Sequence, residues 1–447
     1  MCLPTSQHFW RLIPFLALLA ACGDGHEPVV APTTDVSHTD EFRAAYSLER
    51  NQRQHRSFPE DDIWWSAYGQ DQHWNFRNLH QIFPTVNVYR GGKISELQKN
   101  PNPAIAEYLV DTPTGPMTFD ALIHSDLTTA MGVIVLHQGQ IVFERYPRME
   151  NYEMPVYWSV AKQFVGNIVR LLEERGEVDV SLSIDHYIPE ISASDFAGIS
   201  VRNLLDMASG LDCGDGNYSD WNSCYYRYSM TIGDGFRTES AGDNPYDFVA
   251  NLKGSKKIEQ GQAFSYSGLN TFVLAWMVEK ITGLSFQDVL SQEIWYHIGA
   301  ESNASYIAPR YGVPMTHGGF MARLRDMARY GLLFTPSFAV VSDRKIISDD
   351  HIEFLWSGGR SDLRQNAGLP VVEVSGIKHN IYQWDEIHVN GDYYKGGWAG
   401  QGFMVNPQRD LVAVFVSYKK IDESELRLKP ILLKVLDNVY GDIARKP

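Results

Sequence analysis

The stretch 157-YWSVAKQFVGNIVRLLEERG-176 has the pattern of a buried helix, yet it carries a serine and a lysine at its start. Ser159 and Lys162 are three residues apart, so their side chains share one face of the helix, one turn apart. Burial disfavours the charged form of an amine and lowers its pKa, which makes Lys162 a credible proton acceptor for the Ser159 hydroxyl. Apolar residues surround the pair at Val160, Phe164, Val165, Ile168, Val169 and Leu172. By spacing alone, a serine in this place is more often an N-cap than a nucleophile.

Two further motifs follow in chain order. Tyr266 lies in 264-FSYSGLN-270, just before an amphipathic pattern that predicts a helix up to Gly283. The segment 393-YYKGGWAGQGFMVNPQRDLVAVFVSY-418 is a glycine-rich bend that leads into a strand pattern. In this order the three motifs resemble those of the serine β-lactamase-like superfamily, in which S-x-x-K holds the nucleophile.

The surroundings of the motifs strengthen this resemblance. The tyrosine version looks like the class C β-lactamases, the family-VIII esterases and, most closely, the 6-aminohexanoate-dimer hydrolases. The similar segments are WSVAKQFVGNIV (158–169), VRNLLDMASGLD (201–212) and GGFMARLRDMARYGLL (318–333). The resemblance covers about Phe76 to Tyr418.

Strand and helix patterns alternate along the chain in three blocks. MGVIVLHQGQIVFERY (131–146) predicts a β-hairpin, helical patterns fill the middle, and strands return near HNIYQW, GFMVNP and DLVAVFVSY. The pattern VRNLLDMASGLD predicts a helix that ends at Gly210, and a last helix is expected from Glu423 to about Arg445. We therefore expect an α+β fold with an antiparallel sheet built from both chain ends and flanked by helices. A mainly helical second subdomain, at about 160–330, completes this β-lactamase/transpeptidase-like architecture.

The resemblance implies a double-displacement hydrolysis without a cofactor. Ser159 would attack a carbonyl and form an acyl-enzyme, which water then releases. Lys162 and Tyr266 would share the proton transfers, with the phenol pKa lowered by the neighbouring ammonium. By family analogy, the backbone N–H groups of Ser159 and Gln401 would form the oxyanion hole.

The chain departs from the family pattern at two places. The common Y-x-N is Tyr266-Ser267-Gly268 here, and Asn270 is a possible substitute for the missing amide. In this alignment the K-T-G of β-lactamases and peptidases is Trp398-Ala399-Gly400, which we expect to contact the substrate. This alignment replaces an ammonium that would bind a penicillin carboxylate by an indole. It favours amides or esters with a less acidic acyl tail.

The N-terminus has the pattern of an export signal. Arg11 precedes a short apolar run that ends in Leu19-Ala20-Ala21-Cys22, a sequence that resembles the bacterial lipobox. We expect lipid on Cys22 to tether the exported protein to a bacterial membrane, facing the periplasm or the cell exterior. An ordinary cleaved signal is the alternative. The predicted divisions are a signal at 1–22, a flexible tether at 23–40, an ordered extension at 41–100 and the hydrolase domain at 101–447.

The remaining cysteines are Cys213 and Cys224, because Cys2 would leave with the signal. An oxidising compartment permits a disulfide between them, and two free thiols are the alternative.

The composition excludes several classes of function. A net charge of −15 without a long basic run argues against nucleic acid as a partner. The chain lacks H-E-x-x-H, C-x-x-C and G-x-S-x-G, so we expect neither a metal centre nor the usual nucleophile elbow. The sequence thus predicts an exported serine hydrolase for a small amide or ester substrate. The alternatives are β-lactamase or DD-peptidase-type activity, or a catalytically silent, lipid-anchored binding protein.

Overall fold

The computed structural model describes residues 67–215, 220–233, 244–370 and 372–441. The strands are β1 (Thr85–Val88), β2 (Leu109–Val110), β3 (Met117–Thr118), β4 (Ala130–His137), β5 (Gln140–Arg145), β6 (Ala304–Ile307), β7 (Phe320–Met321), β8 (Ile377–Ile381), β9 (Trp384–His388), β10 (Tyr393–Gly397), β11 (Gln401–Asn406) and β12 (Leu411–Ser417). The helices are α1 (Gln70–Ile82), α2 (Pro103–Ala106), α3 (Phe119–His124), α4 (Lys162–Glu174), α5 (Ile184–Tyr187), α6 (Val201–Leu205), α7 (Cys224–Ile232), α8 (Pro245–Ala250), α9 (Gly268–Thr282), α10 (Phe286–Glu293), α11 (Leu324–Leu332), α12 (Asp349–Ser357), α13 (Asp362–Asn366), α14 (Val372–Ser375) and α15 (Leu428–Tyr440). Short 3₁₀ turns cover Trp158–Ala161, Pro189–Ile191, Trp295–His297 and Pro336–Val340. The predicted signal, the tether and residues 41–66 of the predicted extension lie outside the described residues.

A seven-stranded antiparallel sheet forms the centre, in the order β5-β4-β12-β11-β10-β9-β8. The predicted hairpin is confirmed as β4 and β5, joined at Gln138 and Gly139 with φ angles of 50° and 74°. Two positive φ angles are what a tight two-residue turn between antiparallel strands requires. Within this sheet, β4 pairs with β12, where Val133 lies opposite Phe415. The sheet is therefore built from both ends of the chain, as the sequence predicts.

Both faces of the sheet are covered, because neighbouring side chains of a strand point to opposite sides. On β4, Ile134 and Leu136 belong to the core shared with α4 and α11. Val133 and Val135 belong to a second core shared with α15. The three layers are thus helix, sheet and helix. Helix α4 packs on the sheet, and Ser159 lies in the 3₁₀ turn directly before this helix.

The helical patterns of the middle segment are confirmed with changed boundaries: the pattern at 318–334 forms strand β7 before α11 begins at Leu324. Helix α9 ends at Thr282, and Gly283 follows in the left-handed conformation with φ 71°. The helix predicted to end at Gly210 instead ends at Leu205. Met207 has a φ of 57°, and the carbonyl of Gly210 accepts a hydrogen bond from the N–H of Lys257 at 3.0 Å. Pairing with that second segment replaces the last predicted turn of the helix.

The middle segment also contributes to a small sheet. Strand β6 pairs with both β1 and β7, and Thr85 lies opposite Ile307. The described part of the predicted extension, through α1 and β1, is therefore hydrogen-bonded to the main body. Within the described residues, no helix has the length and apolarity needed to cross a bilayer.

Gly166 marks the closest approach of α4 to the β8–β9 turn. A Cβ at this position would lie 2.0 Å from the carbonyl oxygen of Tyr382. We expect Gly166→Ala to lower the free energy of unfolding by roughly 2–3 kcal/mol, because the backbone has to move. Urea unfolding followed by circular dichroism measures this change. Gly318→Ala is the matched control, since its nearest neighbour is the flexible end of Met315 at 3.0 Å. Equal stability of the two variants would contradict the close approach.

Candidate active site

Ser159 and Lys162 lie at the junction of a 3₁₀ turn and helix α4. The Nζ atom of Lys162 donates a hydrogen bond to the Oγ atom of Ser159 at 3.0 Å. Trp158, directly before the serine, has a φ of 46°, a conformation that costs a bulky side chain energy. Backbone strain of this kind clusters at functional sites. The structure therefore brings the predicted serine and lysine into contact, on a strained turn.

Lys162 has two further hydrogen-bond acceptors that the sequence analysis did not find. Its Nζ atom lies 2.9 Å from Oδ2 of Asp215 and 2.8 Å from the carbonyl oxygen of His317. The lysine side chain is only 1% exposed, so the carboxylate compensates a charge that water does not reach. The predicted burial of Lys162 is confirmed, but its amine is paired with the carboxylate of Asp215.

Asp215 is held in place by the segment that carries Tyr266. The backbone N–H of Gly268 donates to Oδ1 of Asp215, and the Oγ atom of Ser267 donates to the carbonyl of Cys213 at 2.6 Å. Cys213 is joined to Cys224 by a disulfide, as the cysteine count predicts. The Asp215 loop is thus tied to α7 by a covalent bond and to the tyrosine segment by hydrogen bonds.

Tyr266 lies close to two ammonium groups. Its phenol is hydrogen-bonded to Ser159, and the Nζ atoms of Lys162 and Lys395 lie 4.7 and 4.8 Å from its ring centroid. Burial, followed by the charges of Asp385 and Asp215, raises the pKa of Tyr266 well above its usual range. The lowered phenol pKa that we expected is therefore wrong. The hydroxyl is neutral at rest, since desolvation outweighs the hydrogen bond from Ser159.

Lys395 is the main component that the sequence analysis missed. It lies on β10, and its Nζ atom donates to the phenolic oxygen of Tyr266 at 3.2 Å. It also donates to Oδ1 of Asp385, on β9, at 2.5 Å. Burial lowers the pKa of Lys395 to about 8, although Asp385 opposes the shift. The signal was present in the sequence, because Lys395 precedes two glycines in a K-x-G pattern.

This position corrects the alignment that put an indole in place of the K-T-G ammonium. The ammonium is present beside Tyr266, but its side chain is fully buried and paired with Asp385. The suggested role of Asn270 is also wrong. Asn270 is buried within α9, its Oδ1 atom lacks a hydrogen-bond partner, and its Nδ2 atom contacts only the sulfur of Met207 at 4.0 Å. Asp215 and the carbonyl of His317 take the place of the missing amide next to Lys162.

The end of strand β10 lies directly against the turn that carries Ser159. A Cβ on Gly397 would lie 2.3 Å from the carbonyl oxygen of Tyr157, so only a glycine fits there. Gln401, the predicted second oxyanion donor, lies opposite Gly397 in β11. Its side chain is buried and bonded to the backbone of Ser417 and of Trp398. The oxyanion role of Gln401 and Ser159 stays a prediction.

Trp398, Ala399 and Gly400 form the turn between β10 and β11. Trp398 is 37% exposed and packs against Trp158 and Phe76, each with ring centroids at 5.7 Å. Ala399 and Gly400 have φ angles of 61° and 93°. The turn thus holds an aromatic surface next to the strained residue that precedes Ser159.

His317 fills the space behind Lys162 and is not itself charged. Its ring is fully buried and contacts the hydroxyl groups of Tyr228 at 3.2 Å and Tyr225 at 3.5 Å. Burial lowers the pKa of His317 to about 3, so the imidazole is neutral at physiological pH. No cluster of histidine, cysteine or carboxylate side chains in the described residues could hold a metal ion.

Comparison with known proteins agrees with this geometry. The Beta-lactamase family model matches residues 118–436, a range that contains Ser159, Lys162, Tyr266 and Lys395. The chain belongs to the beta-lactamase family. As a member it is a serine hydrolase with a β-lactamase/transpeptidase-like α+β fold.

Individual relatives and solved structures show the same relationship at 14–26% sequence identity. The 6-aminohexanoate-dimer hydrolase of Paenarthrobacter ureafaciens is 26% identical over 363 residues, which are 80% of this chain and 88% of that protein. A putative 6-aminohexanoate-dimer hydrolase from Bacillus anthracis superposes with a TM-score of 0.71 at 21% identity, over 86% of this chain and 98% of that one. A class C β-lactamase mutant superposes with a TM-score of 0.52 at 14% identity, over 71% and 95% of the two chains. The last two likenesses show the fold.

The disulfide joins two cysteines at a sequence separation of 11, and Asp215 lies in the loop that it closes. We expect the double variant Cys213→Ser/Cys224→Ser to lose about 3 kcal/mol of unfolding free energy, because the unfolded chain is no longer constrained. Denaturant unfolding measures this loss. Reductant should destabilise the unaltered protein by a similar amount and leave the double variant unchanged. A reductant effect of equal size on both proteins would contradict the prediction.

Proposed function

We propose that this protein hydrolyses an amide or ester bond through an acyl-enzyme on Ser159. The observation that carries the proposal is the meeting of three side chains from distant segments. Lys162 Nζ lies 3.0 Å from Ser159 Oγ, and the phenol of Tyr266 is hydrogen-bonded to the same serine. A hydroxyl with two proton carriers in contact is the arrangement that an activated nucleophile needs.

The proposed reaction has two halves. Ser159 Oγ attacks the carbonyl carbon while its proton passes to the Lys162–Tyr266 pair. The resulting oxyanion accepts hydrogen bonds from the backbone N–H groups proposed at Ser159 and Gln401. The carbon–leaving-group bond then breaks as the pair returns the proton to the departing nitrogen or oxygen. Water attacks the acyl-enzyme by the same route, regenerates the serine hydroxyl and releases the acid.

The charges around the serine favour a substrate with a neutral acyl tail. The ammonium of Lys162 is paired with Asp215 and that of Lys395 with Asp385, so neither offers an uncompensated charge to a carboxylate. The exposed part of Trp398 offers an aromatic contact instead. The ammonium of Lys395 is thus present but compensated, and the same substrate class is expected as with an indole in its place. The name of the Paenarthrobacter relative supports a linear amide as one candidate.

We also propose that the protein is exported and tethered by lipid on Cys22. The support is the sequence 19-LAAC-22 after a short apolar run. Mass spectrometry of the mature N-terminus from membrane fractions tests this proposal, and an unmodified or absent Cys22 would contradict it.

A fluorophosphonate probe should label the protein once per chain, at Ser159. We expect Ser159→Ala to remove labelling and to lower ester turnover at least about a thousandfold, because the nucleophile is lost. Ser181→Ala is the matched control, since Ser181 is an exposed serine. Persistent labelling of Ser159→Ala would contradict the proposed nucleophile. Ligand binding without labelling or turnover would favour the non-catalytic alternative.

Substrate charge provides a second test. We expect nitrophenyl esters with a neutral acyl chain to be hydrolysed at least about tenfold faster, in kcat/KM, than esters with a terminal carboxylate. The reason is that a charge-assisted contact is worth about 1.5–3 kcal/mol and none is free here. Nitrocefin turnover should be negligible. Efficient nitrocefin hydrolysis would favour the β-lactamase alternative.

A further inference from the structure

We propose that Asp385 is a positioning residue that holds the Lys395 ammonium against the phenolic oxygen of Tyr266. The inference rests on the proposed function, in which Tyr266 takes part in the proton transfers. Asp385 does not contact Ser159 in the described structure and would act through Lys395. Asp385 lies ten residues before the K-x-G pattern, outside the three motifs found in the sequence.

The carboxylate of Asp385 is fixed by two contacts to one neighbouring strand. Its Oδ2 atom accepts the backbone N–H of Gly396 at 3.0 Å, and its Oδ1 atom accepts from Nζ of Lys395 at 2.5 Å. Strands β9 and β10 are antiparallel neighbours, with Glu386 opposite Tyr394. The hydrogen bond from the Gly396 N–H fixes the position of the Asp385 carboxylate, and this carboxylate fixes the position of the Lys395 ammonium.

Lys395 depends on this contact because it is fully buried. The charged or titratable groups that face it are Asp385 from β9, Lys162 from α4, Asp215 from the disulfide loop and Tyr266. The Lys162 ammonium repels it, and Asp215 is already bonded to Lys162. Without Asp385, the ammonium would be buried without a carboxylate of its own, which strongly disfavours the charged form.

The charge on Lys395 matters at the step in which Tyr266 carries a negative oxygen. The phenol is neutral at rest, so the phenolate exists only while the proton is in transit. The Nζ atom of Lys395, 3.2 Å from that oxygen, is placed to donate to it. Burial places the pKa of Lys395 at about 8, so the ammonium is lost, and activity should fall, as the pH rises above that value.

Removing the charge of Asp385 should move this fall in activity to lower pH. In Asp385→Asn the charged form of Lys395 loses its stabilising partner, so its pKa decreases. An opposite charge at this range shifts a pKa by roughly 1–3 units, so we expect the alkaline limb of the kcat profile to move down by at least about one pH unit. We expect kcat at pH 8 to fall at least about fivefold, with little change in KM.

Glu386→Gln is the matched control for the same strand. Glu386 is the next residue of β9, and its carboxylate pairs with His388 and Lys429 instead of facing Tyr266. This variant removes one negative charge of equal size and should keep the pH limb and kcat of the unaltered enzyme. Circular dichroism verifies that each variant is folded.

The experiment measures kcat and KM for a neutral nitrophenyl ester from pH 6 to 10. A downward shift in Asp385→Asn together with an unchanged Glu386→Gln supports the proposal. An unshifted limb in folded Asp385→Asn, or an equal shift in Glu386→Gln, overturns it. Should Asp385→Asn fail to fold, Asp385→Glu keeps the charge and displaces it. That variant should lower kcat without moving the limb, and an unchanged kcat overturns the proposal.

Failure of the proposed function gives a different result. In that case Ser159→Ala retains ester turnover, whatever the activities of Asp385→Asn and Glu386→Gln. If Ser159→Ala is inactive and Asp385→Asn behaves like the unaltered enzyme, the nucleophile stands and only the positioning role is wrong.

Discussion

A buried charge needs a partner of opposite sign, and this requirement shapes the centre of the molecule. Lys162 and Lys395 lie almost entirely out of water, and their ammonium groups lie 4.7 and 4.8 Å from the centre of the Tyr266 ring. Asp215 and Asp385 compensate them one to one. Isolated charges at such depth would be neutralised or would destabilise the fold, because desolvation costs several kcal/mol per ion. These two ion pairs let a neutral phenol remain close to two ammonium groups.

The backbone around the site is as constrained as its charges. Trp158 and Ala399 are non-glycine residues with positive φ angles, on the two turns that meet beside Ser159. Between them, Gly397 approaches the carbonyl of Tyr157 so closely that a side chain is excluded. The strained conformations of Trp158 and Ala399 persist because both turns are continuous with packed elements, the central sheet and α4.

The parts that local pattern could predict are those that depend on local physics. The β4–β5 hairpin follows from apolar runs around Gln138 and Gly139, and α9 follows from its period and from Gly283. The contact of Ser159 with Lys162 follows from one helical turn. The role of Tyr266 follows from the order of the three motifs along the chain, which is shared with the family.

The parts that stayed hidden depend on contacts between distant segments. Asp215 lies in a polar loop without a periodic pattern, and only the folded chain shows that it reaches Lys162. The pairing of Lys395 with Asp385 requires the register of two strands. The pKa of Tyr266 required the depth of burial, which composition does not contain. The early end of α6 at Leu205 likewise reflects pairing with residues near Lys257.

The order of strands in the central sheet bears on how the chain folds during synthesis. The first hairpin, β4–β5, leaves the ribosome long before β12, its neighbour in the sheet, since Ala130 pairs with Ser417. Until then one edge of β4 stays open, and an unpaired apolar edge is a template for aggregation. The nascent chain therefore carries this open edge through most of translation. Its hydrolytic centre is completed only when the last strands are in place.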